Sequence, residues 1–417
     1  MKQLGLEIPE ILIPAPHVDV HKWGIIACDQ FTQNESYWKN LYEEIGDEPS
    51  TLKMILPEFF LNQPDVLQRQ ESTVKAMKEY LAGDVFAPAI KSMLFVERTT
   101  PYGRTRKGII AAIDLEEYEF SSNSKSKIRP TEAVITERLP PRKEIRINAP
   151  LEIPHILLLA NDKDNLLFSA AEKAASGNPI FQVNLTANSG TYTGWKIESL
   201  EELQQMGENL SNNENFFLAV GDGNHSLAAA KAVWEMKKQS GEPSSSPFRY
   251  ALVEIVNIFD PGLVFEAIHR VIFHCQGENI FNFLSDSLKS RIYQKETAES
   301  MMDFVNEHPS SFALIYEKNG KKQFYCFLTE GTNLLVAELQ SALDDFLRQE
   351  GGEIDFIHGE KELLLLHGDD TVAFFLPPIN KDTFFETINE RGSLPRKSFS
   401  LGQPEEKRFY FECRRLK

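Results

Sequence analysis

The stretch "FFLAVGDGNHSLAAAKAVWEMKK", residues 216–238, restricts the fold of this chain more than any other. Its first part, Phe216 to Val220, is apolar and strand-like. Two glycines follow, and from Ser226 the composition is that of a strong helix former. The run therefore reads as strand, tight turn, helix. The turn also exposes backbone N–H groups at the positive end of the helix dipole, so Gly221, Gly223, Asn224 and Ser226 form a candidate cradle for a phosphate or nucleotide. Asp222 and His225 would flank the bound anion. An aspartate does not attract an anion, so Asp222 is expected as a metal ligand or as a base acting on an incoming hydroxyl. The alternative is local: Asp222 or Asn224 caps the helix and the glycines serve the turn. The run differs from the dinucleotide fingerprint, because Ser226 stands where a third glycine belongs, and it is not a Walker A loop.

Strand-like and helix-like segments alternate through most of the 417 residues, which predicts a mixed α/β (α+β) protein. "TQNESYWKNLYEEIG" predicts a helix with Thr32 and Glu35 in capping-box spacing and a stop at Gly46. "SMLFVER" and "KGIIAAIDL" predict an antiparallel pair turning at Pro101 and Gly103. "HILLLA" predicts a buried strand, "NPIFQVNLT" with "GTYTGWKI" a hairpin, and "SLEELQQMGENL" a helix. "RYALVEIVNI" and "EAIHRVIFH" predict two strands separated by the Asp260-Pro261-Gly262 turn. From about Gln276 the pattern becomes helix, strand, Asn319-Gly320 hairpin, strand, then alternating helices and strands. The expected domains are therefore 1–275, carrying the Gly-Asp-Gly-Asn-His motif, and 276–417, a smaller α+β unit with a basic C-terminal loop.

Hydrophobic residues at 42% supply enough apolar surface for packed cores. A formal charge of -17 disfavours nucleic acid as a partner, because phosphate backbones are held by excess Lys and Arg. Four scattered cysteines without a C-x-x-C pair signal neither zinc nor a disulfide framework. With no signal-like N-terminus and no apolar run of membrane-spanning length, a cytoplasmic protein without a membrane partner is expected.

Inside this acidic chain, residues 98–146 carry 11 Lys and Arg against 7 Asp and Glu. That excess predicts a pocket for a small anion. "YGRTRKG" puts Arg104 and Arg106 on one side of a strand or turn, where two guanidinium forks could share a phosphate. The alternative is a solvated hairpin tip. Glu132 in "IRPTEAVITERL" is a carboxylate among cations, either an ion-pair partner or a catalytic base. His269 and Arg270 in an apolar strand, and Arg396 and Lys397 in "GSLPRKSFS", are candidate substrate contacts. A lone strand histidine is more often a core residue, and the late loop is equally readable as a solvated tail.

Taken in order, "YGRTRKGIIAAIDLEEY", "IRPTEAVITERL", "VGDGNHSLAAAK", "NIFDPGLVFEAIHRVIF" and "SLPRKSFS" resemble a bacterial and archaeal family called domain of unknown function 1015. The family's central motif is commonly Asp-Gly-His-His-Arg. This chain keeps Asp222, Gly223 and His225, with Asn224 and Ser226 in place of the first His and the Arg. That motif in turn resembles the ParB and sulfiredoxin superfamily, which includes nucleotide-hydrolysing partition proteins and an archaeal free-serine kinase. The resemblance implies a ParB/sulfiredoxin-like core with a mixed sheet, a motif beside nucleotide phosphates, and, through the family's association with serine-pathway genes, serine or phosphoserine metabolism.

The expected function is phosphotransfer on a small hydroxyl-bearing or phosphorylated metabolite, in the kinase or the phosphatase direction. Mg²⁺ and a nucleotide, ATP or ADP, are the expected cofactors, with Asp222 as metal ligand and Asp222, His225 and Glu132 as catalytic groups. The alternative is a non-enzymatic nucleotide or metabolite sensor using the same cradle. DNA binding fits the acidic balance least.

Overall fold

The structure, a computed structural model, describes residues 2–417 except 29–30, 32–33, 62, 176, 213–215, 331–334 and 367. The chain forms two compact units: Met1–Leu263 with Gly402–Lys417, and Val264–Leu401. The second unit is thus inserted into the first, and the division differs from one at residue 276. Two strands explain the difference. Phe265–Phe273 pairs with Glu353–His358 and Thr371–Phe375 in the second sheet, whereas Arg414–Arg415 pairs with Leu151–Glu152 in the first unit.

Among the described residues the first unit contains a nine-stranded mixed sheet. Its main path runs Ile128–Pro130, Leu218–Asp222, Leu157–Ala160, Tyr250–Asn257, Thr105–Asp114, Leu94–Thr99, Thr191–Lys196, Phe181–Asn184. Two neighbours are parallel: Ile128–Pro130 with Leu218–Asp222, and Leu157–Ala160 with Tyr250–Asn257. The hairpin at Pro101–Gly103 and the Phe181–Asn184 with Thr191–Lys196 pair form as their sequences predict. The core beneath is continuous and includes Trp23, Ile110, Leu158, Val220, Trp234, Leu252 and Phe411.

The early helix spans Glu35–Ile45 and ends on Gly46. Its first amides are capped by Asn34, whose side chain accepts from the Tyr37 N–H; the Thr32 cap suggested by the sequence lies outside the described residues. No helix among the described residues is long and apolar enough to cross a membrane.

The second unit has a seven-stranded sheet, counted over described residues, in which each pairing is antiparallel. Asn319 and Gly320 both have positive φ, 53° and 71°, as a two-residue hairpin turn between Ser311–Lys318 and Lys321–Thr329 requires. Sequence pattern misses the edge strand Ser290–Lys295 and the helix Ala298–Glu307 that follows it. That strand is largely exposed, so it lacks the apolar alternation that marks a half-buried strand.

The Asp260-Pro261-Gly262 turn does not close a hairpin; there the chain leaves the first sheet. Asp260 accepts from the Lys107 and Gly262 N–H groups, and a Cβ on Gly262 would lie 2.2 Å from the Thr105 carbonyl oxygen. Only glycine lets the backbones approach that closely.

Candidate functional site

The motif strand, Leu218–Asp222, is buried along Leu218, Ala219 and Val220 and becomes half-exposed at Gly221. Gly223 then takes a left-handed conformation, φ +83°, and the motif helix runs Asn224–Gln239. A Cβ at Gly223 would strain the backbone and approach Ile156 Cγ1 to 3.0 Å, so the position suits glycine on both counts. The helix buries Leu227, Ala228, Ala229, Ala230, Val233 and Trp234. Its small residues allow Leu139, from the helix Leu139–Asn148, to pack on Ala228 and Ala229.

Neither candidate cap caps this helix. Gly223 is the N-cap residue and, having no side chain, supplies no cap itself. Asp222 Oδ1 instead accepts from the Gly223 N–H at 2.8 Å, and its other oxygen lies 3.7 Å from Lys407 Nζ. Asn224 turns sideways: its Oδ1 accepts from the Thr131 N–H, and its Nδ2 faces Thr131 Oγ1 and the Val220 carbonyl. Thr131 Oγ1 also donates to Val220 O at 2.6 Å. These bonds fasten the ends of two parallel strands to each other.

The loop that follows Ile128–Pro130 carries Glu132: its neighbour Thr131 is bonded to Asn224 and to Val220, which keeps this loop beside the start of the motif helix. Glu132 is half-buried. His225 Nε2 accepts from the Ile135 N–H at 3.1 Å, tying the helix start to the same loop. The structure therefore gathers Glu132 and residues Gly221 to Ser226 at one end of the sheet.

Arg104 and Arg106 both reach Glu406, as their placement on one side predicts. Arg104 forks onto its carboxylate, at 2.9 Å to each oxygen, and Arg106 donates to its carbonyl at 3.1 Å. Arg106 is buried and also meets Glu254 at 3.2 Å. Each guanidinium thus already has a carboxylate of the same chain, and a phosphate shared by the two would have to displace Glu406. Much of the basic stretch turns inward in the same way: Arg98 donates to the Glu405 and Lys407 carbonyls, Arg142 meets Glu58, and Arg146 meets Glu152.

Residues 404–412 form a strap whose contacts sequence reasoning misses. Arg408 bridges Glu254, 3.0 Å, and Glu412, 2.7 Å, and Tyr192 donates to Glu412. Burial alone would lower the Arg408 guanidinium, but Glu412, Tyr192 and Glu254 together hold it above its ordinary value. This anchored strap positions Lys407 against Asp222. The dense, alternating charges of "PEEKRFYFECRR" are the signal that could have drawn attention to it.

His269 and Arg270 lie in the second unit, and both are buried, at 2% and 0% exposure. His269 Nδ1 accepts from the Leu376 N–H at 3.1 Å, and its ring stacks on Phe375. Arg270 donates to the Ile268 carbonyl and to Gln340. As neighbours on a central strand they face opposite sides of the sheet, both covered, so they are interior residues and not the substrate contacts expected from the sequence. Arg396 is exposed and Lys397 half-buried with φ 56°, in the loop before Phe399–Leu401 of that unit.

Burial, then the neighbouring charges of Arg270 and His358, push His269 down to about 4. A depressed histidine contributes stability that is complete above its unfolded value near 6.5 and is lost as pH falls towards 4. The shift predicts that the second unit loses about 3 kcal/mol over that interval. Urea unfolding followed by a probe in that unit should show the loss in the native chain, with a smaller slope in His269→Phe. An equal slope in both would show that His269 does not carry it.

Among the described residues, no three or more His, Cys, Asp or Glu side chains converge on a common metal position. A Mg²⁺ ion would be held here only in the manner usual for that cation, by a carboxylate and by the phosphates it accompanies, with Asp222 at the strand end as the donor.

No curated protein matches the sequence. Solved structures similar to the chain include a conserved hypothetical protein from Pyrococcus furiosus, 13% identical, covering 72% of this chain and 93% of its own, TM-score 0.38. A free serine kinase in complex with AMP is 13% identical and covers 74% and 92%, TM-score 0.37. A C-terminally truncated SbnI from Staphylococcus aureus is 9% identical and covers 70% and 82%, TM-score 0.38. The family model described as "Protein of unknown function (DUF1015)" matches residues 12–349, most of the chain, and this protein belongs to that family.

Proposed function

We propose that the first unit is a phosphotransfer enzyme for a small hydroxyl-bearing or phosphorylated metabolite, seated at the start of the motif helix. One observation carries it: a strand end delivers a partly exposed carboxylate, Asp222, to a left-handed glycine that opens the N-terminal turn of a long helix, with the loop of Glu132 fastened beside it through Thr131. The first-turn amides and the helix dipole suit a phosphate. Asp222 and Glu132 suit a divalent cation or the proton of an attacking hydroxyl, and Lys407 adds a cation 3.7 Å from Asp222. Magnesium arriving with a nucleotide would neutralise phosphate charge; the chain's own residues hold, orient and deprotonate. Serine and phosphoserine are the first substrates to try, in view of the motif resemblance.

The test is a thermal-shift series of ATP, ADP, AMP, serine and phosphoserine with Mg²⁺. A ligand at one hundred times its Kd should stabilise the native chain by about 2.7 kcal/mol, and Gly223→Ala should remove that gain. No shift with any of the five, or a shift unaffected at Gly223, would reject the seat. The second possibility is a ligand sensor that uses the same seat without turnover; it would show the stabilisation and no turnover to lose.

A further inference from the structure

Ser226 lies in the first turn of the motif helix, and its Oγ is 3.4 Å from His155 Nε2. The fold builds this pairing from three directions. Leu157 pairs antiparallel with Asp222, which places His155, two residues earlier, beside the start of the helix. Gly223, having no Cβ, passes closely over Ile156, next to His155. The His155 ring lies against Tyr410, centroids 4.9 Å apart and planes at 34°, which orients its edge. Both Ser226 and His155 are half-buried. The motif's other imidazole, His225, has its Nε2 engaged by the Ile135 N–H. With His155 Nε2 unprotonated, the Ser226 hydroxyl donates to it. A hydroxyl paired with an oriented imidazole, next to helix amides able to take negative charge, is an activated nucleophile.

We propose that Ser226 is a catalytic nucleophile with His155 as its general base, and that phosphotransfer passes through a covalent phosphoseryl enzyme. This rests on the phosphotransfer function proposed above. Ser226 Oγ attacks the phosphorus of a phosphomonoester or of the terminal phosphate of a nucleoside triphosphate. The Oγ–P bond forms and its proton passes to His155 Nε2. The bond from phosphorus to the bridging oxygen breaks with its electron pair, and the leaving group departs as nucleoside diphosphate or, taking a proton from solvent, as alcohol. The phosphoryl group then sits at the first-turn amides. In the second half-reaction, water or an acceptor hydroxyl attacks phosphorus and releases its proton to solvent. Oγ departs and regains the proton held by His155, giving net hydrolysis or net transfer.

The full-length chain would be incubated with Mg²⁺ and either ATP or phosphoserine, quenched in acid and weighed intact, with a fluorophosphonate probe as a substrate-independent arm. The expected result is a gain of one phosphoryl group on the peptide bearing Ser226, and probe labelling at the same residue. Ser226→Ala should give neither, and His155→Gln should slow both by about 10²-fold. Alanine suits a helix, so loss in Ser226→Ala accompanied by native circular dichroism reports chemistry and not folding. An adduct from ATP alone marks a nucleoside triphosphate as donor, and one from phosphoserine alone marks a phosphomonoester. Turnover that persists in Ser226→Ala without an adduct overturns the phosphoenzyme and leaves the phosphotransfer function standing. Absence of both adduct and probe label in the native chain overturns the phosphoenzyme, while absence of ligand-induced stabilisation removes the function beneath it.

Discussion

Replacing Glu254 by alanine is expected to destabilise the first unit by about 3–5 kcal/mol, the usual result of removing one partner from a buried ion pair. Glu254 is 2% exposed and lies between two guanidiniums, Arg106 at 3.2 Å and Arg408 at 3.0 Å. Both arginines are buried, and alanine would leave them facing each other without the intervening charge. The cost comes from stranded charge and not from lost volume. Glu254→Gln, of nearly the same size, should therefore recover only part of the loss. Arg104→Ala offers the contrast, because its side chain is a third exposed and water can replace its partner. Urea unfolding of the three variants would measure this order. A loss below about 1 kcal/mol for Glu254→Ala would mean that water enters the cluster and that the strap is not held by charge.

Asp222→Asn is expected to lower turnover by about 10²–10⁴-fold while leaving nucleotide or phosphoserine affinity within a few-fold, once a substrate has been found. Asparagine keeps the shape and can still accept from the Gly223 N–H, so the turn and the helix amides persist. What disappears is the charge that faces Lys407 and that the proposed function uses as base or metal ligand. Folding should change little, since the side chain is about a third exposed. Steady-state kinetics and calorimetry on one preparation separate the two effects. Turnover equal to that of the native chain would remove Asp222 from the chemistry, and equal losses of affinity and turnover would assign it to binding alone.

The strand, turn and helix around Gly223 were legible because each signal is local. Apolar residues, a left-handed glycine and an alanine-rich run act over a few positions. Partners that meet across the fold left no such signal. Thr131 with Asn224, His155 with Ser226 and Lys407 with Asp222 are brought together by strand pairing and by the returning strap. The basic stretch shows the same limit, since composition reveals an excess of arginine but not that Glu58, Glu152, Glu254 and Glu406 receive so much of it. His269 was readable either as a contact or as a core residue, and burial on a central strand decides for the core. The unit division near 276 failed for a related reason. Periodicity reports whether a segment is strand or helix, whereas the sheet a strand joins is fixed by distant partners.

The return of Gly402–Lys417 to the first unit has a consequence for biosynthesis. A ribosome releases Arg98, Arg106 and Glu254 long before Arg408 and Glu412, with the whole of Val264–Leu401 made in between. Until then Glu254 lacks one of its two arginines, and Lys407 is not yet there to face Asp222. The first unit is therefore begun first and finished last, and a nascent chain that pauses within the second unit exposes an incomplete charged interior.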